Sequence, residues 1–326
     1  MDRPLKLFRY RPLDDKLLER EIDMLQRSYL FSAPFSSMND PMEAFYETGG
    51  QSDSLIDEIL KYSRKSVSDI YADINKMTDK FGLVSFSIAY DNLPMWAYYA
   101  NNFAGMCLEF DTNDIFIGDF QNESLRKVTY AKEQLPPVSI KDFYQSNVDG
   151  VIISRLTRKR FEWAHEKEWR FITGITGEKS YIDDALCKVY LGPRIKSSHS
   201  EKIHKLLSHR PVEILQGEIN GFDLSFRTTK SRTPYDQCEK VGSQNFDPSQ
   251  HLYAEKELRE FLTVPFETLL DECHRTALRP NMERIDGINI AGSGRKSIYF
   301  WTTYKLRNGR EIFNKRYFDQ HFNLIE

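Results

Sequence analysis

Trp163-Ala164-His165-Glu166-Lys167-Glu168-Trp169-Arg170-Phe171-Ile172-Thr173 is the stretch on which the fold reading turns. From Glu168 to Thr173 large apolar residues interleave with charged ones, the pattern of a strand. In an extended chain side chains repeat every second residue. Glu166, Glu168 and Arg170 then share one face, and Trp169 and Phe171 take the other, the natural core side. In a helix the two glutamates would point roughly 200° apart. A paired-carboxylate site therefore requires that the strand has begun by Glu166. Otherwise the same residues form a solvated face at a helix-to-strand junction.

Working outward, Leu5–Tyr10, Leu30–Pro34, Leu83–Tyr90, Gly105–Phe110, Val128–Tyr130, Cys187–Leu191, Val212–Leu215 and Phe222–Arg227 read as strands. Helical spacing predicts helices from Asp14 to about Tyr29, over 52–80, from Leu93 to Asn102 with Pro94 in the first turn, over 140–165 with an interruption near Gly150, and from Ser200 to Ser208. Strands and helices mix without regular βαβ alternation, which predicts an α+β fold. Neither G-x-G-x-x-G nor G-x-x-x-x-G-K-[ST] occurs, so Rossmann and P-loop nucleotide binding have no support.

The chain of 326 residues carries 45 Lys and Arg against 48 Asp and Glu, which excludes a globally basic nucleic-acid binder. Its 40% hydrophobic content is ample for a buried core, and no apolar run is long enough for a membrane span. Met1-Asp2-Arg3-Pro4 lacks the apolar stretch of a signal peptide. Cys107, Cys187, Cys238 and Cys273 lie far apart, as expected of reduced, mostly buried thiols in a cytoplasmic protein. The histidines form no metal spacing, and no metal site is expected.

Texture changes after Lys230. Residues 231–250 read as a linker, so the expected division is a domain over 1–230 and a small α+β C-terminal domain over 251–326. The latter holds a helix over 252–274 and a hairpin, Ser297–Tyr304 and Glu311–Tyr317, joined at Asn308-Gly309 by a primed turn. From Arg295 onward Lys and Arg outnumber Asp and Glu seven to three, with Tyr299, Phe300, Trp301, Tyr304, Tyr317 and Phe318 interleaved. Such a hairpin either holds RNA or DNA by phosphate contact and base stacking or is an ordinary one with an aromatic core face.

Three further clusters carry chemistry. Arg9-Tyr10-Arg11 ends the first strand, where an arginine can grip a phosphate or carboxylate or form a surface salt bridge. Ser32, Asn39, Asp40 and Glu43 follow. Trp96, Tyr98 and Tyr99 precede Gly105, with spacing that suits a core as well as ligand stacking.

Together LFRYRPLDD, LFSAPFSSMNDPME, LPMWAYYANNFAGMCLEFD and HEKEWRFI, in that order, resemble the bacterial domain of unknown function 2971, over about residues 5–195. VTYAKE and KVYLGP are weaker matches. Tyr98 and Phe103 stand where that family often carries a polar residue or histidine. The arrangement is in turn similar to ADP-ribosyltransferases, which implies a mixed, antiparallel split-sheet core with flanking helices and NAD as substrate. Carried over, Glu168 matches the catalytic glutamate, Glu166 the carboxylate two residues before it, Arg11 or Arg9 the first-strand residue and Ser32 the second-strand residue. Tyr10, Asn39, Asp40, Trp96 and Tyr99 complete the expected NAD-binding set, and Tyr99 or Tyr46 could stack on nicotinamide or adenine. The same likeness implies a role as a toxin or phage-defence effector, for which an antitoxin is a candidate partner, and the C-terminal domain as a docking surface points to a macromolecular acceptor, protein or nucleic acid, rather than water. Two other classes stay open. One is a metal-dependent nuclease using Asp40, Glu43, Glu166 and Glu168 with Lys167, and the other is a non-catalytic regulatory module.

Overall fold

The computed structural model describes residues 3–40, 78–120, 124–133, 148–291 and 296–325. Glu43, Tyr46, nearly all of the helix expected over 52–80 and the first part of that expected over 140–165 lie outside the described residues. The architecture is α+β with several antiparallel sheets. Among the described residues no helix is long and apolar enough to cross a membrane. The chain divides into two compact units.

One unit comprises residues 1–29, 95–120 and 180–326. Its larger sheet has the order β1 (Lys6–Arg11), β4 (Met106–Asp111), β10 (Leu186–Leu191), β11 (Glu213–Asn220), β12 (Asp223–Lys230). All neighbours are antiparallel except β10 and β11, whose parallel pairing is bridged by a helix over Ser197–Leu206. Helix α1 (Leu18–Arg27) starts later than the capping residue suggests, because Asp14 caps the preceding turn, accepting from the Lys16 and Leu17 amides at 2.8 Å. Ser28, at φ 51°, ends it. Helix α2 (Leu93–Tyr99) is followed by three successive left-handed residues, Asn101, Asn102 and Phe103. The asparagines suit that conformation. Phe103 is held in it by stacking on Trp96 and by its carbonyl, which accepts from the Arg194 amide at 3.0 Å.

A second sheet in this unit has the order β13 (Met282–Ala291), β14 (Ser297–Lys305), β15 (Glu311–Phe318). The expected hairpin is β14–β15, but its connection is a five-residue loop, 306–310, in which only Gly309 takes a positive φ, at 85°. The helix expected over 252–274 is two, Glu255–Phe261 and Phe266–Ala277, because Pro265 supplies no amide to continue the first. Residues 180–326 are knit together by buried acids. Asp183 accepts from Arg210 (2.7 Å), Arg307 (2.8 Å) and Ser28 (2.9 Å). Asp184 pairs with Arg279 at 2.9 Å and Arg232 at 3.1 Å. The segment 231–250 thus runs within one compact unit. All four cysteines are free, and all but Cys187 are buried.

The other unit comprises residues 30–94 and 121–179. Its sheet has the order β5 (Leu125–Lys127), β8 (Trp169–Thr173), β3 (Gly82–Phe86), β2 (Tyr29–Pro34), β9 (Gly177–Ser180). Two short strands, β6 (Thr129–Ala131) and β7 (Arg158–Arg160), pair in parallel beside it. Helix α3 (Val148–Leu156) stops short of the end expected near 165. The Thr157 hydroxyl turns back to the Ile153 carbonyl at 2.8 Å, and the basic run after it extends as β7. Leu83, Ile152, Leu156 and Ile172 form the core here.

Gly82 is required by close approach. A Cβ there would lie 2.2 Å from the Ser32 hydroxyl and 2.8 Å from the Ile175 carbonyl. Gly82→Ala is expected to destabilise the chain by about 1–3 kcal/mol, as overpacked sites do. A urea-unfolding midpoint equal to wild type would contradict that.

Candidate active site

The basic residues and the carboxylates meet in the second unit, where β7, a 3₁₀ turn and β8 follow one another. The turn spans Phe161–Glu166, and Lys167 then adopts the left-handed conformation at φ 47°. This single inversion swings the chain so that Glu166 and Glu168 converge, although the strand begins only at Trp169. The extended reading of Glu166 is therefore corrected, while the pairing it was meant to produce is present by another route. The backbone around the pair is clamped. The Ser87 hydroxyl donates to the Glu166 carbonyl (2.8 Å), the Glu168 amide donates to Tyr130 Oη (2.8 Å), and the Val128 amide donates to the Glu168 carbonyl (3.0 Å). Asn92 Nδ2 donates to the His165 carbonyl.

Both carboxylates are buried, Glu166 at 2% and Glu168 at 4% exposure. Lys159 Nζ, itself buried, bridges them at 2.6 Å to Glu166 and 2.9 Å to Glu168. Arg170 is wholly buried and grips Glu168 with two parallel bonds, Nε to Oε1 at 2.8 Å and Nη2 to Oε2 at 2.9 Å. Its Nη1 donates to the Leu156 carbonyl at 2.6 Å. Of the two alternatives the sequence left open, the solvated face is the one excluded, since every residue of β8 is buried. The reason is charge balance: two anions face two cations, so the face enters the interior as a neutral hydrogen-bonded set.

Burial by itself pushes the Glu168 carboxyl upward, but the nearby Arg170 and then Lys159 outweigh it and hold Glu168 down to about 2. The two cations thus favour the ionised form of Glu168, which as a carboxylate is an acceptor only. Burial raises the Tyr130 phenol well above its ordinary value, so it keeps its proton. Lys159 also lies 5.8 Å from the Trp163 ring centroid.

The remaining predicted residues fall into two sets. Ser32 and Asp40 are buried and Asn39 is exposed, all in the unit that holds the glutamates. The Ser32 hydroxyl shares a 2.8 Å hydrogen bond with Thr173 Oγ1, so it is engaged in joining the sheet. Arg9, Tyr10, Arg11, Trp96 and Tyr99 lie in the other unit. Tyr10 and Trp96 are buried edge to face, 5.4 Å apart, in a core on which Tyr99 packs. They serve packing, the alternative their spacing left open. Arg11 ties β1 to α1 through a two-bond pair with the buried Glu21, at 2.8 Å and 2.5 Å. Arg9 is partly buried in β1, opposite Leu108.

Sequence reasoning missed Lys159, which it placed inside a helix, and Tyr130. The signals were the run Arg158-Lys159-Arg160, whose lysine lies seven residues before Glu166 and nine before Glu168, and the VTYAKE segment that contains Tyr130. No group of three or more His, Cys, Asp or Glu suited to a metal ion exists among the described residues.

No curated protein and no solved structure matches the chain. Within the wider stretch of resemblance, residues 95–171, which carry most of α2 and all of Lys159, Glu166, Glu168 and Arg170, match the family described as Protein of unknown function (DUF2971).

Proposed function

We propose that the chain is a cytoplasmic NAD-dependent ADP-ribosyltransferase whose chemical centre is the Glu166–Glu168 pair. The observation that carries this reading is the gathering of two buried carboxylates on one ammonium, that of Lys159. The order of the sequence motifs, by its likeness to ADP-ribosyltransferases, adds to it.

Breaking the bond between nicotinamide and ribose builds positive charge on the sugar. A preorganised anion in a water-poor site stabilises that charge and can accept a hydrogen bond from a ribose hydroxyl. Glu168, held toward its ionised form by Arg170, fits this role. Glu166 then receives the proton of the incoming acceptor. Lys159 and Arg170 together neutralise the pair before substrate arrives. The cationic nicotinamide–ribose end displaces the Lys159 ammonium, which the flexible four-carbon stem allows to swing toward the pyrophosphate. No role is assigned to Arg11, which Glu21 engages.

The test is to incubate the purified chain with adenine-labelled NAD and cell lysate. Loss of NAD with label entering protein, RNA or DNA is expected, and intact NAD after long incubation overturns the proposal.

A second reading rests on one observation: each charge in the cluster already has a partner of opposite sign. The set can hold β7, the turn and β8 together with no ligand at all, as a non-catalytic module requires. It is distinguished by variants that change stability and leave no activity to lose.

A further inference from the structure

The three-stranded sheet β13-β14-β15 has two unlike faces. Ile298, Phe300, Thr302 and Tyr304 of β14 are fully buried on one side. Tyr299 and Trp301 alternate with them and so occupy the other. Paired residues share a face, which places Tyr317 beside Tyr299, Lys315 beside Trp301 and Phe313 beside Thr303. The Tyr253 ring completes the row, lying over Gly287, where a Cβ would meet it at 2.7 Å. This side is open: Phe313 is 49% and Tyr253 47% exposed, and Tyr299, Trp301 and Tyr317 are partly so.

The rings are ordered against one another. Tyr299 stacks on Trp301 at 4.3 Å, and Phe313 meets Trp301 edge-on at 5.7 Å. Lys315 Nζ sits above both, 5.2 Å from the Trp301 centroid and 5.5 Å from that of Phe313. The charge on this face is mixed with one cation in excess: Arg284, Lys305 and Lys315 stand with Asp286 and with Glu311, which lies opposite Lys305 in the register. Arg284 engages both Asp286 (2.9 Å) and Glu311 (3.1 Å). Among the described residues neither Lys315 nor Lys305, the next in the alternation after Trp301 and Thr303, pairs with a carboxylate.

We infer that this face binds single-stranded nucleic acid. Flat bases stack on the Trp301 and Phe313 rings as Lys315 moves off them, and Lys315 and Lys305 take the phosphates. A polyanion supplies the charge the lysines lack, and unpaired bases supply the planar surfaces that the rings match. An acidic peptide offers only the first, and a duplex keeps its bases stacked inside. The inference goes beyond the NAD reading and stands without it.

The experiment is fluorescence anisotropy of labelled oligothymidylate and oligouridylate with the intact chain, at low and high salt. Phe313→Ala and Lys315→Ala are the variants, and circular dichroism checks that these surface changes leave the fold intact. Binding of either oligonucleotide is expected, weakened by salt and weakened roughly tenfold in each variant. Absence of binding at micromolar protein, wild-type affinity in both variants, or equal competition by polyglutamate or duplex DNA overturns it. The readout needs no NAD, so its failure is distinct from failure of the transferase proposal.

Discussion

Arg170→Met is expected to lower the unfolding free energy by about 3–5 kcal/mol, the usual cost of removing one partner of a buried ion pair. Arg170 is wholly buried, both its bonds to Glu168 are lost, and methionine restores volume without charge. Lys159 remains, but it is already shared with Glu166. Loss of the guanidinium also leaves the Leu156 carbonyl without that donor. Denaturant unfolding followed by circular dichroism measures the change, and a difference below about 1 kcal/mol, the worth of an exposed pair, would contradict it.

The same pair sets an acid limit. The Glu168 carboxyl lies at about 2 in the folded chain against 4.5 when unperturbed. A depressed value means the stabilisation is fully present above pH 4.5 and is lost as pH falls toward 2. Wild type is expected to lose on the order of 3 kcal/mol across that window. Glu168→Gln, which has no such proton to gain, should show a shallower acid slope.

The second large effect is chemical. Glu168→Gln is expected to reduce nicotinamide release from NAD at least about 100-fold, the loss typical when one preorganised electrostatic group is removed. The amide keeps the shape and size of the side chain but carries no charge to set against the developing cation. Lys159 and Arg170 then face an unbalanced site, so stability must be measured on the same preparation. Lost turnover in a folded variant separates chemistry from folding. A folded variant with wild-type turnover would remove Glu168 from the reaction.

Strand periodicity was legible wherever the chain alternates strongly. β1, β4, β8 and the β14–β15 hairpin fall where pattern placed them, with ends shifted by a residue or two. Three misses share a cause in tertiary context. β13 follows Pro280 and reads as mixed polar sequence, and it forms because β14 offers it a partner. The end of α3 was invisible because Lys159 and Arg160 suit a helix by propensity, yet β6 claims them as β7. The Glu166–Glu168 convergence depends on Lys167 adopting φ 47°, and no local preference of lysine announces that. At the site itself the two acids and one partner, Arg170, were readable from sequence, and the other partner, Lys159, was not. Arg170 shares a strand face with Glu168 and could be inferred, whereas Lys159 reaches the acids only through the folding back of β7. Trp96 and Arg11 illustrate the converse: residue types suited to ligand binding that a core and the buried Glu21 had already engaged.

The most direct test of the central claim is a crystal structure of the chain with an NAD analogue that cannot release nicotinamide. The expected density places the nicotinamide-bearing ribose within hydrogen-bonding reach of Glu168, with the Lys159 ammonium turned away from Glu166 toward the pyrophosphate. An analogue bound elsewhere, or excluded while Lys159 still bridges both glutamates, would contradict the claim.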